Sequence, residues 1–227
     1  FSMSISVAAR PQIIQSYSSK DYVRTNKLFF STSKIMFILI AILTIPLCFN
    51  MKFILSIWLG DNVPEYTAVF CVWILMVKLV DSLNPPCTNL IMATGKIRSY
   101  MIASSLLIFS VVPLSVLLFN IYKEPYQMFF IMLLCTLINQ ICSVIILHNI
   151  LNYISLKKYM VEIIGPAVIL LFILVSAIYL RHLFINVISF YSIIFDFFIS
   201  LVCTTIVLWT FSNKNEKKFI MQLILKR

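Results

Sequence analysis

The chain has 227 residues, of which 61% are apolar, 11% are charged and only 3 are glycine. Soluble domains are roughly half apolar and a quarter charged, so this composition excludes a water-soluble globular domain. The net charge of +10 comes from basic residues that are distributed among the segments between apolar runs. This distribution is typical of residues that set the orientation of membrane spans, rather than of a nucleic-acid-binding surface.

The first 27 residues predict the end of a preceding span followed by a cytoplasmic connection. Residues 1–9 are mostly apolar, whereas residues 10–27 are polar and include Pro11 and Asp21. Part of this connection is a candidate for an interfacial amphipathic helix. The chain opens on Phe1 and shows no signal-peptide pattern, so we expect it to be a piece of a longer protein.

Residues 28–211 contain six apolar runs of about 20 residues or more, each long enough to cross a hydrocarbon core of roughly 30 Å. The fold class predicted is therefore all-α, a polytopic transmembrane helical bundle. Proline and glycine at Pro46, Pro85-Pro86, Pro113 and Gly165-Pro166 predict bends or breaks in four of these spans. The runs lie at about Leu28–Leu59, Tyr66–Met92, Tyr100–Phe119, Tyr126–Leu151, Met160–Leu180 and Val187–Phe211.

Basic residues fall on alternate connections. One set of segments carries 14 Lys and Arg, namely residues 1–34, the connections at 94–99 and 152–159, and the tail 212–227. The connections at 60–65, 120–125 and 181–186 carry only 2, Lys123 and Arg181. Lys52 and Lys78 lie within or near spans and are left out of this count. The positive-inside rule then predicts that both ends are cytoplasmic, which agrees with an even number of spans.

The motifs of nucleotide and metal chemistry are absent. The sequence has no G-x-x-x-x-G-K-[ST], no G-x-G-x-x-G and no acidic cluster for Mg²⁺, so we expect no cofactor and no metal. The six cysteines lie singly inside apolar runs without C-x-x-C spacing, which fits small apolar fillers. Neither His148 nor His182 has a nucleophile at a suggestive spacing, so no catalytic residue is predicted.

The informative residues are charges inside spans, because a lone charge at a span centre costs about 2.5–3.5 kcal/mol. Lys78 and Asp81 are three residues apart on one helical face, and Asn84 continues that face in the same direction. One interpretation is a polar stripe lining a transport cavity. The other is a buried ion pair that fixes helix packing, with Pro85-Pro86 only bending the span.

Three further charged residues also have both a functional and a structural interpretation. Asp196, in the last span, is a candidate protonation site for ion coupling, although we favour a hydrogen bond to a hydroxyl such as Ser192 or Ser200. Lys96 and Arg98 flank a short cytoplasmic turn that could contact an anionic headgroup or a pyrophosphate. Positive-inside anchoring alone also explains these two residues, and it is the favoured interpretation.

Five motifs, taken together, resemble the C-terminal half of Wzx-type O-antigen and polysaccharide flippases, in the superfamily that also holds the multidrug and toxin extrusion transporters. The resemblance is recognisable over residues 1 to about 125 and rests on hydropathy beyond them. The motifs are Ala9-Arg10-Pro11-Gln12-Ile13, Asp21-Tyr22, Ile54-Leu55-Ser56-Ile57-Trp58-Leu59-Gly60, Val63-Pro64-Glu65-Tyr66 and Ala93-Thr94-Gly95-Lys96.

The resemblance implies a non-enzymatic exporter that moves undecaprenyl-pyrophosphate-linked oligosaccharide across the bacterial inner membrane by alternating access. It implies two pseudo-symmetric bundles around a cationic cavity, so the N-terminal half of the parent protein is an expected partner, together with membrane lipids. Lys78 would then contact the cargo and Asp81 would counter its charge, while Asp81 or Asp196 would couple ions. The alternatives are a small-cation or drug antiporter, a membrane polysaccharide polymerase or ligase, and a structural subunit.

Overall fold

The structure is a computed structural model that describes residues 2–60, 62–184 and 189–211. These residues form helices joined by short connections, and they contain no strand. The helices are α1 (Ser2–Ser18), α2 (Tyr22–Leu59), α3 (Thr67–Asp81), α4 (Asn84–Thr94), α5 (Arg98–Tyr122), α6 (Gln127–Ile150), α7 (Leu156–Tyr159), α8 (Gly165–Phe184) and α9 (Phe190–Phe211), with a π-helical turn at Met160–Ile164 between α7 and α8.

Six helical stretches are long and apolar enough to cross a membrane. This confirms the predicted all-α polytopic bundle, and each stretch overlaps the span expected at that place. The tail 212–227, predicted to be basic and cytoplasmic, lies outside the described residues. The stretches are Tyr22–Leu59, Thr67–Thr94, Arg98–Tyr122, Gln127–Ile150, Leu156–Phe184 and Phe190–Thr210.

The first 27 residues are more helical than a connection would be. Helix α1 runs to Ser18, and α2 already begins at Tyr22, where the Asp21 carboxylate caps it by accepting from the backbone N–H of Arg24 at 3.0 Å. Helix α1 packs against α2 and α4. Arg10 Nε donates to Asn89 Oδ1 at 3.0 Å, and Asn89 Nδ2 donates to Ser6 Oγ at 2.9 Å. Helix α1 therefore packs against the bundle along one side, through contacts with α2 and α4.

The predicted interruptions fall on two of the four spans. Helices α2 and α5 continue through Pro46 and Pro113. The second span breaks at Ser82 and Leu83, which places Pro85 and Pro86 in the first turn of α4, where a helix needs no backbone donor. In the fifth span the π-helical turn ends as the N–H of Gly165 donates to Met160 O. Both departures from α-helix lie close to Gln140 of α6, whose Nε2 donates to Leu83 O and to the hydroxyl of Tyr159, the residue before the π-helical turn.

The apolar core lies where α2, α4, α6 and α8 meet. Phe29, Leu90, Leu147 and Leu174 are fully buried members of this core, one from each helix. Helix α5 is different, because it packs mainly on α6 and only Tyr100 is buried along its length. The remaining surface of α5 is free for lipid or for another protein segment.

Gly95 ends α4 with a positive φ of 73°, and a Cβ at this position would meet no atom within 4 Å. A Gly95→Ala change therefore carries only the cost of the left-handed backbone, about 1 kcal/mol. We expect a lower unfolding temperature in detergent, followed with a thiol-reactive dye that reports exposure of the buried Cys87 and Cys135. Gly95→Asn should lower the unfolding temperature less than Gly95→Ala, because asparagine tolerates the left-handed conformation. Equal decreases for the two variants would contradict the assignment of a left-handed backbone at Gly95.

Candidate functional site

A buried ion pair joins the last two helices. Arg181 lies in the last turn of α8 and Asp196 lies six residues into α9, so the short connection between these helices places them at similar depth. Arg181 Nε donates to Asp196 Oδ1 at 2.8 Å, and Nη2 donates to Oδ2. The side chains are only 5% and 0% exposed. This two-pronged geometry keeps both charges compensated away from water.

Asn50 of α2 and His182 complete the cluster. Asn50 Nδ2 donates to Asp196 Oδ2 at 2.7 Å and to Pro46 O, the carbonyl one turn earlier, at 2.9 Å. His182 stacks on Phe49, and its Nε2 lies 2.8 Å from Arg181 Nη2. A guanidinium only donates, so His182 Nε2 accepts this hydrogen bond. The cluster therefore ties three helices together through one carboxylate.

Asp196 does not bond to the hydroxyls that the sequence suggested, and that prediction is wrong. Ser200 donates to backbone carbonyls, including Ile42 O at 3.3 Å, and Ser192 donates to Ser189 O. Sequence reasoning also counted Arg181 as a connection residue and missed Asn50. The sequence did contain a signal for this pair. Arg181 lies three residues before the end of α8 and Asp196 six residues after the start of α9, and consecutive antiparallel helices bring residues near their shared end together.

Lys78 and Asp81 pair with each other but face outward. Lys78 Nζ lies 3.3 Å from Asp81 Oδ2, and the two side chains are 61% and 45% exposed. Lys78 lies about 16 Å along the helix from Thr67, which is near the middle of the span. The interpretation of this pair as a packing contact buried within the bundle is therefore wrong for the described residues. A central pair on an open face needs water or another protein surface beside it.

Asn84 does not continue this open face. It is buried, and its amide donates to Ser143 Oγ of α6 at 3.3 Å. Its Oδ1 accepts from Tyr100 of α5 at 2.9 Å and from Thr88 at 2.7 Å. The break at Ser82 and Leu83 resets the helix direction between Asp81 and Asn84, so spacing alone misplaced this residue. Asn84 holds α4, α5 and α6 together instead of lining a cavity with Lys78.

Lys96 lies on the turn between α4 and α5, and Arg98 is the first residue of α5; both are exposed. The backbone N–H of Lys96 donates to Thr94 Oγ1 at 3.2 Å, which shapes the turn. Neither side chain forms an ion pair within the described part of the chain. Their position suits anchoring at a membrane surface.

An apolar groove of about 470 Å³ runs between α6 and α8 in the half of the bundle that holds the α6–α7 connection. Leu137, Ile141 and Val168 line it and are substantially exposed. Gln140 lies in its wall, where its Nε2 donates to Tyr159 Oη at 2.7 Å and to Leu83 O at 3.3 Å. Gln140 thus supports the break between α3 and α4, while the groove itself offers an apolar surface to a lipid chain.

A scan against protein-family models and searches of curated proteins and of solved structures found no match for the chain. The resemblance to polysaccharide flippases therefore rests on the sequence motifs alone.

The buried ion pair yields a test of stability. Asp196→Ala leaves Arg181 buried without its counter-charge, so we expect a loss of about 3–5 kcal/mol and a large fall in the unfolding temperature in detergent. The double variant Arg181→Met, Asp196→Leu should recover much of this loss. Asp81→Ala is the control, because an exposed pair contributes about 0–1 kcal/mol. Equal effects of Asp196→Ala and Asp81→Ala would contradict the network.

Proposed function

We propose that this chain forms one of two bundles of an exporter that moves polyprenyl-pyrophosphate-linked oligosaccharide across the bacterial inner membrane by alternating access. The chain moves its cargo without catalysing a chemical reaction. A second bundle, supplied by the N-terminal half of the parent protein, closes the cargo cavity against the open face that carries Lys78 and Asp81.

The open Lys78–Asp81 pair carries this proposal. Charges near a span centre are costly against lipid, and the buried Arg181–Asp196 pair follows that rule whereas Lys78–Asp81 departs from it. A water-filled cavity between two bundles removes the conflict and leaves Lys78 available to a pyrophosphate. Asp81 would hold the ammonium in place when cargo is absent.

The apolar groove between α6 and α8 supports a lipid-linked cargo. Its walls carry almost no polar surface. In the topology proposed below, it lies in the cytoplasmic half of the bundle, where the proposed cargo begins its transfer. An isoprenoid chain is a suitable occupant, because it adds apolar contact without needing a hydrogen-bond partner. The charged headgroup would meanwhile lie on the Lys78 side.

Export of small cations or drugs is the weaker candidate. A cation needs an uncompensated carboxylate in the cavity, and each of the three carboxylates within the described spans has a basic partner. Glu162 pairs with Lys158, and the two candidate coupling residues, Asp81 and Asp196, pair with Lys78 and Arg181. The same pairing weakens both residues as ion-coupling sites unless the pair opens during transport.

We propose further that both ends of the chain are cytoplasmic. Fourteen basic residues lie on that side, and Arg181 is engaged inside the bundle, so only Lys123 remains as a basic residue of the outward connections. Glu124 and Glu65 together raise the pKa of Tyr66, with Glu124 the larger cause, because the α2–α3 and α5–α6 connections lie side by side. This acidic side is the one we place outside.

Lys78→Ala should abolish export if Lys78 contacts the pyrophosphate. The measurement is restoration of surface polysaccharide by the full-length parent protein in Gram-negative strains that each lack their own O-antigen flippase, at matched expression. Lys52→Ala is the matched control, because Lys52 is exposed on α2 but lies eight residues from Gly60, where its ammonium can extend to the interface.

Restoration by the wild type and by Lys52→Ala, with loss in Lys78→Ala, is the expected result. Restoration by all three proteins would keep the export function and overturn the role of Lys78. Failure of the wild type in every strain, with the protein present in the membrane, would count against flipping itself.

The topology has its own test. Fusions of alkaline phosphatase, which is active only outside the cytoplasm, should be active after Lys123 and inactive after Lys96 or Lys157. Fusions of green fluorescent protein at the same positions should give the opposite pattern. The reverse assignment at Lys123 would invert the proposed orientation of the bundle.

A further inference from the structure

A polar cavity of about 350 Å³ lies at the end of the bundle that we place in the cytoplasm. It is bounded by the first turns of α2, by the connection between α6 and α7, and by the π-helical turn. It is separate from the apolar groove and shares no lining residue with it. Its polar walls come from Asn26, Lys27, Ser31, Tyr153, Lys158 and Glu162.

Several of these polar groups have no partner inside the protein. Asn26 Oδ1 and the Tyr153 hydroxyl are buried, and neither makes a hydrogen bond within the described residues. Lys27 and Ser31, one turn apart on α2, likewise contact no ion-pair or hydrogen-bond partner there. Burial raises the pKa of Tyr153 to about 12, so its hydroxyl keeps its proton and remains a donor. Unpartnered buried polar groups are costly, which favours a polar occupant.

The charge of the cavity walls fits an anion with a single negative charge. Lys158 lies 3.8 Å from the Glu162 carboxylate and 4.9 Å from the centre of the Phe30 ring, so its charge is already compensated. Lys27 is left as the one uncompensated charge among the lining residues described. A phosphodiester carries one negative charge and accepts hydrogen bonds from an ammonium and from hydroxyls.

The surroundings place this anion at a membrane surface. Tyr22 and Tyr153 both line the cavity, with their ring centres 5.0 Å apart, and paired tyrosines at a span end are typical of the headgroup region. Asn26 Oδ1 is buried as the side chain stands, and rotating the amide by half a turn presents this acceptor to the cavity. With the amide in that position, the occupant also needs a donor next to its phosphate. Glycerol and ethanolamine headgroups have such a donor, whereas choline does not.

We propose that this cavity binds the phosphodiester headgroup of a glycerophospholipid from the cytoplasmic leaflet. Lys27 and Ser31 hold the phosphate, and Asn26 accepts from the hydroxyl or ammonium of the headgroup. The bound lipid fastens the start of α2 to the α6–α7 connection. The site is distinct from the Lys78 face and does not depend on the identity of the cargo.

Native mass spectrometry of the full-length protein in detergent tests this inference with phosphatidylglycerol, phosphatidylethanolamine and phosphatidylcholine of identical acyl chains. We expect the first two lipids to bind more tightly than the third. Lys27→Gln should weaken phosphatidylglycerol binding about tenfold. Lys157→Gln is the matched control, because it removes the same charge from an exposed neighbouring residue outside the cavity.

Ser31→Ala provides a second variant, since it removes a hydroxyl without a protein partner and should weaken lipid binding while leaving the unfolding temperature without lipid unchanged. Equal binding to the wild type, Lys27→Gln and Lys157→Gln would overturn the site. Glycerol 3-phosphate distinguishes the source of the phosphate. If it binds at this cavity while phosphatidylglycerol does not, the occupant is a soluble phosphate ester and the lipid assignment is wrong.

Discussion

The constraint on which this structure depends is that hydrocarbon supplies no hydrogen bonds. Each backbone N–H and carbonyl within the membrane must find a partner in the protein, which leaves the helix as the default for an open chain. Helix α2 continues through Pro46, and the Ile42 carbonyl that the missing N–H of Pro46 leaves free accepts from Ser200 Oγ of α9 at 3.3 Å. Within the described spans, the one full break, at Ser82 and Leu83, is buried and bordered by Gln140 from a neighbouring helix. Irregular backbone is tolerated where other side chains surround it.

The same constraint explains where the three Lys–carboxylate and Arg–carboxylate pairs of the described residues lie. Arg181 and Asp196 are enclosed and share several hydrogen bonds, which is how a charge pair is held away from water. Lys158 and Glu162 lie at a span end, where headgroups and water are near. Lys78 and Asp81 lie at membrane depth yet stay open. This last arrangement needs water or a further protein surface beside it, and it is the reason for proposing a second bundle there.

Most of the side-chain hydrogen bonds between different helices involve an amide side chain. Asn89 links α4 to α1, Asn84 links α4 to α6 and α5, and Asn50 links α2 to α9. Such contacts contribute modestly one by one, about 0.6 kcal/mol on average in membranes. Together with Gln140 they fix the rotation of helices whose apolar surfaces are otherwise interchangeable. Apolar packing alone cannot set that rotation, because lipid tails and leucine side chains are similarly apolar and an apolar helix face is equally stable against either.

The sequence by itself determined the six spans, their approximate ends and the Lys78–Asp81 pair, because these depend on local runs and on neighbours one turn apart along a helix. Only the tertiary structure decided that Asn84 turns inward, that α1 packs on α2 and α4, and that Asp196 bonds to Arg181 and Asn50. These outcomes depend on how each helix is rotated and on which helix lies beside it. Hydropathy is nearly the same around such helices, so the amino-acid pattern carries little information about either.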